Sequence, residues 1–307
     1  MPRPVRPFRR PRSRSRSAFG AVLAGTLLML SSACSAPAHP GSATSGAPDG
    51  TAAAGPAVPV SYGIPQDVTA MVLPATGKDT RLTQGLEGFT GLIRSQVLRG
   101  CLTGAHAAVP DMPPPMFIRL FEVPDLEFIA RDGFQGSVIP GSVPGPSAPG
   151  SAMPDEALAR RCTQQGDAAA AELQSSYGPL LSRWLLQLAP LERNEAVVSA
   201  RTSFTACLAG KGVQAKDENA FFDGVDRKMQ ASDGREALKA EDRRLGAIYA
   251  TCFGPVEAAR EPLRVQLRER FAAENQAELE KVRGGLPGLL AGMEKRYALR
   301  FSVPTTA

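Results

Sequence analysis

Residues 238–271 read LKAEDRRLGAIYATCFGPVEAAREPLRVQLRERF. Leu238, Leu245, Ile248, Tyr249, Cys252, Val256, Ala259, Leu263, Leu267 and Phe271 recur mostly at steps of three, four or seven. That period places them on one face of an α-helix. Pro255 and Pro262 fall inside the run. Each lacks a backbone N–H and crowds the preceding turn, so the sequence predicts a kink or break between Gly254 and Pro262. Glu257, Glu261, Glu274, Glu278 and Glu280 alternate with Arg260, Arg264, Arg268, Arg270 and Lys281, mostly three or four apart. On a helix that spacing reads as a solvated face of ion pairs, about 0.2–0.5 kcal/mol each, ahead of a pair of catalytic carboxylates.

Working outward, helical spacing recurs over Arg81–Thr103, Pro154–Gln174, Gly178–Gln187, Leu191–Ala209 and Leu286–Leu299, and only Met116–Phe121 hints at a strand. The Gly/Pro/Ser tract from Gly133 to Pro154 reads as a long surface loop. Leu180, Leu181, Trp184, Leu185 and Leu188 make a strong apolar stripe, which points to a core position for Trp184 ahead of a ligand groove.

Two stretches match in order. CLTGAHAAVPD from Cys101 and CLAGKGVQAKD from Cys207 share Cys, Leu, Gly and the closing Asp. CTQQGDAAAAEL from Cys162 and CFGPVEAAREPL from Cys252 share Cys, an acid, two alanines and a leucine. The expected class is therefore mainly α, a duplicated helical unit or helical bundle. Four cysteines allow three connectivities, and a duplication favours Cys101 with Cys162 and Cys207 with Cys252. Each loop would then stabilise by about 4 kcal/mol on the chain-entropy account. Buried free thiols are the alternative. A zinc site fits poorly, with no C-x-x-C pair and only His39 and His106.

The N-terminus carries Arg3, Arg6, Arg9, Arg10, Arg12, Arg14 and Arg16 with no acid, then an apolar stretch from Ala18 to Leu30. As a helix that stretch covers about 20 Å, short of the roughly 30 Å of a bilayer core, so residues 1–33 read as an export signal. Ser31, Ser32, Ala33 and Cys34 look like the lipobox of bacterial lipoproteins, whose cysteine is lipidated and becomes the first residue. That family usually has an aliphatic residue three before the cysteine, where Ser31 stands here, with Leu30 one place earlier. Ala36-Pro37-Ala38 offers a second cut that would release the chain. Parity favours lipidation of Cys34, because the other four cysteines can pair among themselves. Arg9-Arg10 also suggests a twin-arginine route, but FRRPRS lacks the apolar residues expected after the pair.

Removing the signal removes the basicity. The whole chain has 35 Lys+Arg against 30 Asp+Glu. Without the seven N-terminal arginines the balance is 28 against 30, so nucleic acid is not expected as a partner. Residues 34–60 are then a lipidated cysteine followed by a flexible Ala/Gly/Ser/Pro tether in which only Asp49 is charged. Residues 61–190 and 191–307 are the two expected helical repeats, the first holding the Pro/Gly loop at 133–154.

CLAGKGV at Cys207, AEDRRLGAIYATC ending at Cys252 and RERFAAENQAELEKV after it resemble a group of predicted lipoproteins of actinobacteria. The resemblance covers most of residues 80–285 and is best over 195–285. That group carries C-M-x-x-x-G followed by an aromatic residue, with a Trp three before the cysteine. Here Leu208 stands for the Met, Phe204 for the Trp and Val213 for the aromatic, and His106 takes the place of the Gly in the first copy. The resemblance implies an exported, cysteine-linked helical domain and carries over no catalytic residue.

The remaining motifs dissolve on inspection. Leu73-Pro74-Ala75-Thr76-Gly77 matches the sortase pentapeptide L-P-x-T-G but lacks the apolar span and basic tail, so it reads as a turn before the first long helix. Thr76-Gly77-Lys78-Asp79-Thr80 lacks the first glycine and the Ser/Thr of a phosphate loop. Gly145-Pro146-Ser147-Ala148-Pro149 misses the final glycine of a nucleophile elbow. His106 is a lone histidine beside a helix end, which suits a cap better than a base. No catalytic constellation and no cofactor or metal motif emerges. The expected function is that of a lipid-anchored extracytoplasmic binding or envelope-scaffolding domain whose partners are the membrane and an envelope protein or small ligand. The alternatives are a small-ligand or peptide-binding protein with a pocket between the repeats and, less favoured, a cell-wall enzyme.

Overall fold

Five of the described helices start where a short polar side chain takes up a free backbone N–H. The computed structural model describes residues 58–306, apart from 111–114, 118, 119, 121, 136, 141–151 and 233, so the expected export segment, Cys34 and most of the expected tether lie outside the described residues. After β1 (Val60–Tyr62) and the single turn α1 (Thr69–Val72), Thr76 and Asp79 form a capping box that starts α2 (Gly77–Gly104). Asp125 caps α3 (Leu126–Asp132), which lies between β2 (Met116–Phe117) and β3 (Ser137–Val138). Asp155 caps α4 (Glu156–Leu188), and a 3₁₀ turn, Ala189–Arg193, leads to Asn194, the cap of α5 (Glu195–Gly210). Asp217 caps α6 (Glu218–Ala231), followed by α7 (Arg235–Glu274), α8 (Gln276–Tyr297) and β4 (Ser302–Pro304). The strands form two antiparallel pairs, β1 with β4 and β2 with β3. The chain is mainly α, as expected.

Two large apolar clusters hold these elements. The first gathers Met71, Leu86, Phe89, Ile93, Tyr177, Leu180, Trp184, Phe271, Leu286, Leu290 and Phe301 from α1, α2, α4, the end of α7, α8 and the C-terminal segment. The second gathers Ile129, Val197, Phe204, Leu208, Phe221, Val225, Leu245, Tyr249, Phe253 and Val256 from α3, α5, α6 and the first half of α7. Helix α7 runs through both. Helix α3 packs on α7 at Gly246, where a Cβ would stand 2.3 Å from the Ile129 carbonyl oxygen. That approach requires a glycine.

Helix α7 is unbroken across Pro255 and Pro262, and α4 runs on across Pro179. The expected break is thus corrected. A proline costs about 3 kcal/mol inside a helix. Around Pro255, Tyr249, Cys252, Phe253 and Val256 are all buried, and each large side chain gains about 1.5–3 kcal/mol on burial. A second correction concerns the charges. Glu257, Arg260 and Arg264 are 7, 5 and 0 % exposed and occupy the passage of α7 from one cluster to the other. Arg264 grips Glu257 through both Nη atoms and donates Nε–H to the Ala75 carbonyl at 2.9 Å. Pro74 lies in the same turn and accepts the Trp184 indole N–H at 2.8 Å. The L-P-x-T-G match is therefore an internal turn that seats Trp184 and Arg264.

The two cysteine pairs are Cys101–Cys162, joining α2 to α4, and Cys207–Cys252, joining α5 to α7, each with Cα atoms 5.5 Å apart. The helix ends beside them share a hydrogen-bond pattern. Ala107 N–H reaches the Leu102 carbonyl at 3.0 Å, and Val213 N–H reaches the Leu208 carbonyl at 2.9 Å. In both, the residue five after the cysteine, His106 or Gly212, has positive φ, 54° and 76°. His106 is thus a helix cap, and the sequence match at Cys101 and Cys207 is a match of local structure.

Candidate functional site

Asp242, buried on α7, accepts the backbone N–H groups of Phe134 at 2.9 Å and Gln135 at 3.0 Å. Gly133 precedes them at φ 78°, and any Cβ there would collide with the Asp242 carboxylate. This clamp fixes the turn after α3 and aims Phe134 at Phe221, Phe222 and Tyr249, with ring centroids 5.3–5.9 Å away. Tyr249 stacks in turn on Phe253 at 4.8 Å. The guanidinium groups of Arg201 and Arg260 both stand 5.6 Å from the Phe253 ring centre.

Of these, Phe134, Gln135, Phe222, Arg201 and Arg260 line a groove of about 1360 Å³. The end of α4 supplies Ser182, Leu185, Leu186 and Leu188, and the 3₁₀ turn supplies Ala189 and Glu192. Glu122, the cap Asp217 and, from α6, Glu218, Asn219, Val225 and Asp226 complete it. Leu186 is 74 % exposed. The groove thus pairs apolar surface with charge.

Its inner charges are tied together. Arg201 bridges Glu192 and Glu218, with Nη1 2.9 Å from Glu218 Oε2. Burial opposes the Arg201 charge, but the hydrogen bond to Glu218 and the two carboxylates prevail and raise its pKa. Tyr249 donates its hydroxyl to Glu218 at 2.6 Å, and burial above all, then the Glu218 charge, pushes that phenol far above its ordinary range. It is a fixed donor. Arg260 Nη2 donates to the Glu122 carbonyl at 2.9 Å. Its Nε lies 3.2 Å from Glu192 Oε1, close enough for an ion pair but without the alignment of a hydrogen bond.

A smaller cleft of about 350 Å³ lies at the start of α2 between Lys78, Arg81 and α3. Arg81 is consumed there by Asp125 at 2.5 Å and Glu127 at 2.6 Å, which makes the cleft a structural junction. Among the described residues no group of three His, Cys, Asp or Glu side chains converges as metal ligands would, and no helix is long and apolar enough to cross a membrane.

Of the residues singled out in the sequence, Cys101, Cys162, Cys207 and Cys252 form the two disulfides, and Cys34 lies outside the described residues. Trp184 is fully buried in the first cluster, with one edge of α4 continuing into the groove. The groove's charged set was not foreseen. A signal existed: Arg260 is four residues after Val256 and seven after Phe253, on the apolar stripe and not opposite it. No family model, curated protein or solved structure matches the chain.

Proposed function

We propose that this protein is a non-enzymatic binding domain, held on the outer face of a membrane by a lipid on Cys34 and a tether over residues 35–60, and that the groove is the surface it offers a partner. The groove's size and lining carry this reading. At about 1360 Å³ it exceeds the roughly 300–1000 Å³ usual for a small-molecule site, so a polypeptide segment suits it better than a metabolite. Its inner acids are poorly placed for proton transfer, which needs a group free to change protonation beside bound substrate. Glu192 and Glu218 share Arg201, and Asp217 is spent on the Ala220 N–H as the α6 cap. That disposition counts against a cell-wall hydrolase.

The pairing of the other four cysteines supports a lipid on Cys34, the odd thiol of the chain. Mass spectrometry of non-reduced peptides from the membrane fraction and the medium tests the anchor. A diacylglyceryl Cys34 at the mature N-terminus, lost to the medium in Cys34→Ser, is the expected result. A mature chain starting at His39 in the medium refutes the anchor.

A further inference from the structure

We infer that the groove takes a basic amphipathic peptide segment, one in which lysine or arginine residues flank two or more apolar side chains; this deepens the binding reading above and rests on it. Three observations combine. First, the groove's charges do not balance. Arg201 and Arg260 are matched by Glu192 and Glu218 within the wall. Glu122, Asp217 and Asp226 also line it and make no ion pair with any described cation. A ligand with about three positive charges restores neutrality, and unlike charges across an interface speed encounter and exclude acidic competitors.

Second, the same groove carries apolar contact surface. Leu186 projects into solvent from α4, beside Leu185, and Phe222 and Val225 face the groove from α6. A polycation without apolar side chains would leave this wall wet, whereas an amphipathic segment covers it while its cations meet the acids. Third, Arg260 is 5 % exposed and lines the groove with hydrogen-bonding capacity to spare. Its Nε has only the poorly aligned Glu192 carboxylate at 3.2 Å, and among the described residues its Nη1 makes no hydrogen bond. Glu192 already meets its charge, so what Nη1 can still take is a neutral acceptor, and a peptide carbonyl is one that adds no charge. Acids, apolar wall and open donor together select a peptide over a free amine or a lipid.

The test is fluorescence anisotropy with a labelled (Leu-Lys-Lys)4 probe and its (Leu-Glu-Glu)4 counterpart. The mature chain is reconstituted in phosphatidylcholine vesicles, and binding to empty vesicles is subtracted. The expected result is saturable binding of the lysine probe only, weakened at least tenfold in Glu122→Gln/Asp226→Asn and again in Leu186→Ser, and unchanged in Glu156→Gln/Glu280→Gln outside the groove. All altered side chains are exposed, so thermal unfolding midpoints should match the parent. Equal binding of the two probes, with Leu186→Ser still weakening both, overturns the charge assignment alone. Binding that no groove variant alters, or no saturable binding at all, overturns the inference together with the groove as binding site. A Leu186→Ser variant that changes self-association without changing probe binding shows a second copy in the groove and also overturns it.

Discussion

Replacing Arg264 by methionine removes a guanidinium with no exposed surface from the middle of α7 while keeping most of its aliphatic length. Three hydrogen bonds go with it, two to Glu257 and one to the Ala75 carbonyl. Removing one partner of a buried ion pair costs about 3–5 kcal/mol, because the other charge remains in a poor solvent. The orphaned Ala75 carbonyl alone accounts for about 1–3 kcal/mol. Arg260 Nε, 4.0 Å from Glu257 Oε2, still offers that carboxylate some compensation, which argues for the lower end, about 3 kcal/mol. For a folded body of this size that is a fall of about 6–12 °C in Tm. Calorimetry or urea unfolding of Arg264→Met, Glu257→Gln and the double variant measures it. The double variant should lose less than the sum of the two singles, since neutralising Glu257 removes the uncompensated charge. A cost below about 1 kcal/mol for Arg264→Met, or strict additivity, would refute the view that this pair is a buried and mutually dependent unit.

Five further outcomes are expected. Removing either disulfide as an alanine pair should cost about 4 kcal/mol, nearly the same for both, since the closed loops span 61 and 45 residues; denaturant titration measures this. Gly246→Ala should destabilise by about 1–3 kcal/mol through collision with the Ile129 carbonyl. Gly254→Ala, with open space around its Cβ, should instead gain about 0.5–1 kcal/mol. Glu87, whose carboxyl burial pushes its pKa up, contributes most below its unfolded value near 4.5 and loses that contribution as pH rises through the folded value, so Glu87→Gln should stabilise at pH 7 and have little effect at acid pH. Glu241, held down to about 2 chiefly by its hydrogen bond to Arg244, behaves oppositely: its contribution is present above 4.5 and disappears as pH falls through about 2, so Glu241→Gln should matter at pH 7 only. Stability curves at several pH values separate the two.

Where apolar periodicity was long and uninterrupted, sequence reasoning found the helix; where it was short or mixed with other signals, it did not. Helices α2 and α5 match the expected spans to within a few residues, and the twice-repeated cysteine pattern pointed to the observed pairs. Helix α6 went unnoticed although Phe221, Val225 and Met229 stand four apart behind the Asp217 cap, because Gly224 and five charged residues dilute the stripe. The seven residues of α3 are too few to show a period, and their place is settled by glycines at 133 and 246 and by Asp242, far apart in the chain. The prolines misled because their local cost is visible in sequence, whereas the burial that offsets it belongs to the assembled core. The groove was illegible for a related reason. Glu192, Arg201, Glu218 and Arg260 come from four elements, and a charge on an apolar stripe looks like noise until its partners are in place.

The passage of α7 through both apolar clusters sets an order of assembly. Phe253 and Val256 complete one cluster, so it can close on a chain of about 263 residues, whereas the other also draws on Phe271, Leu290 and Phe301 and must wait for nearly the whole chain. The α2–α4 pair, with its own link between Cys101 and Cys162, can form on a chain about 190 residues long. The Cys207–Cys252 link must wait for α7. During synthesis the apolar faces of α5 and α6 therefore stay uncovered until α7 is made, and those of α2 and α4 until α8 and the C-terminal segment follow, so the two clusters close late and in turn.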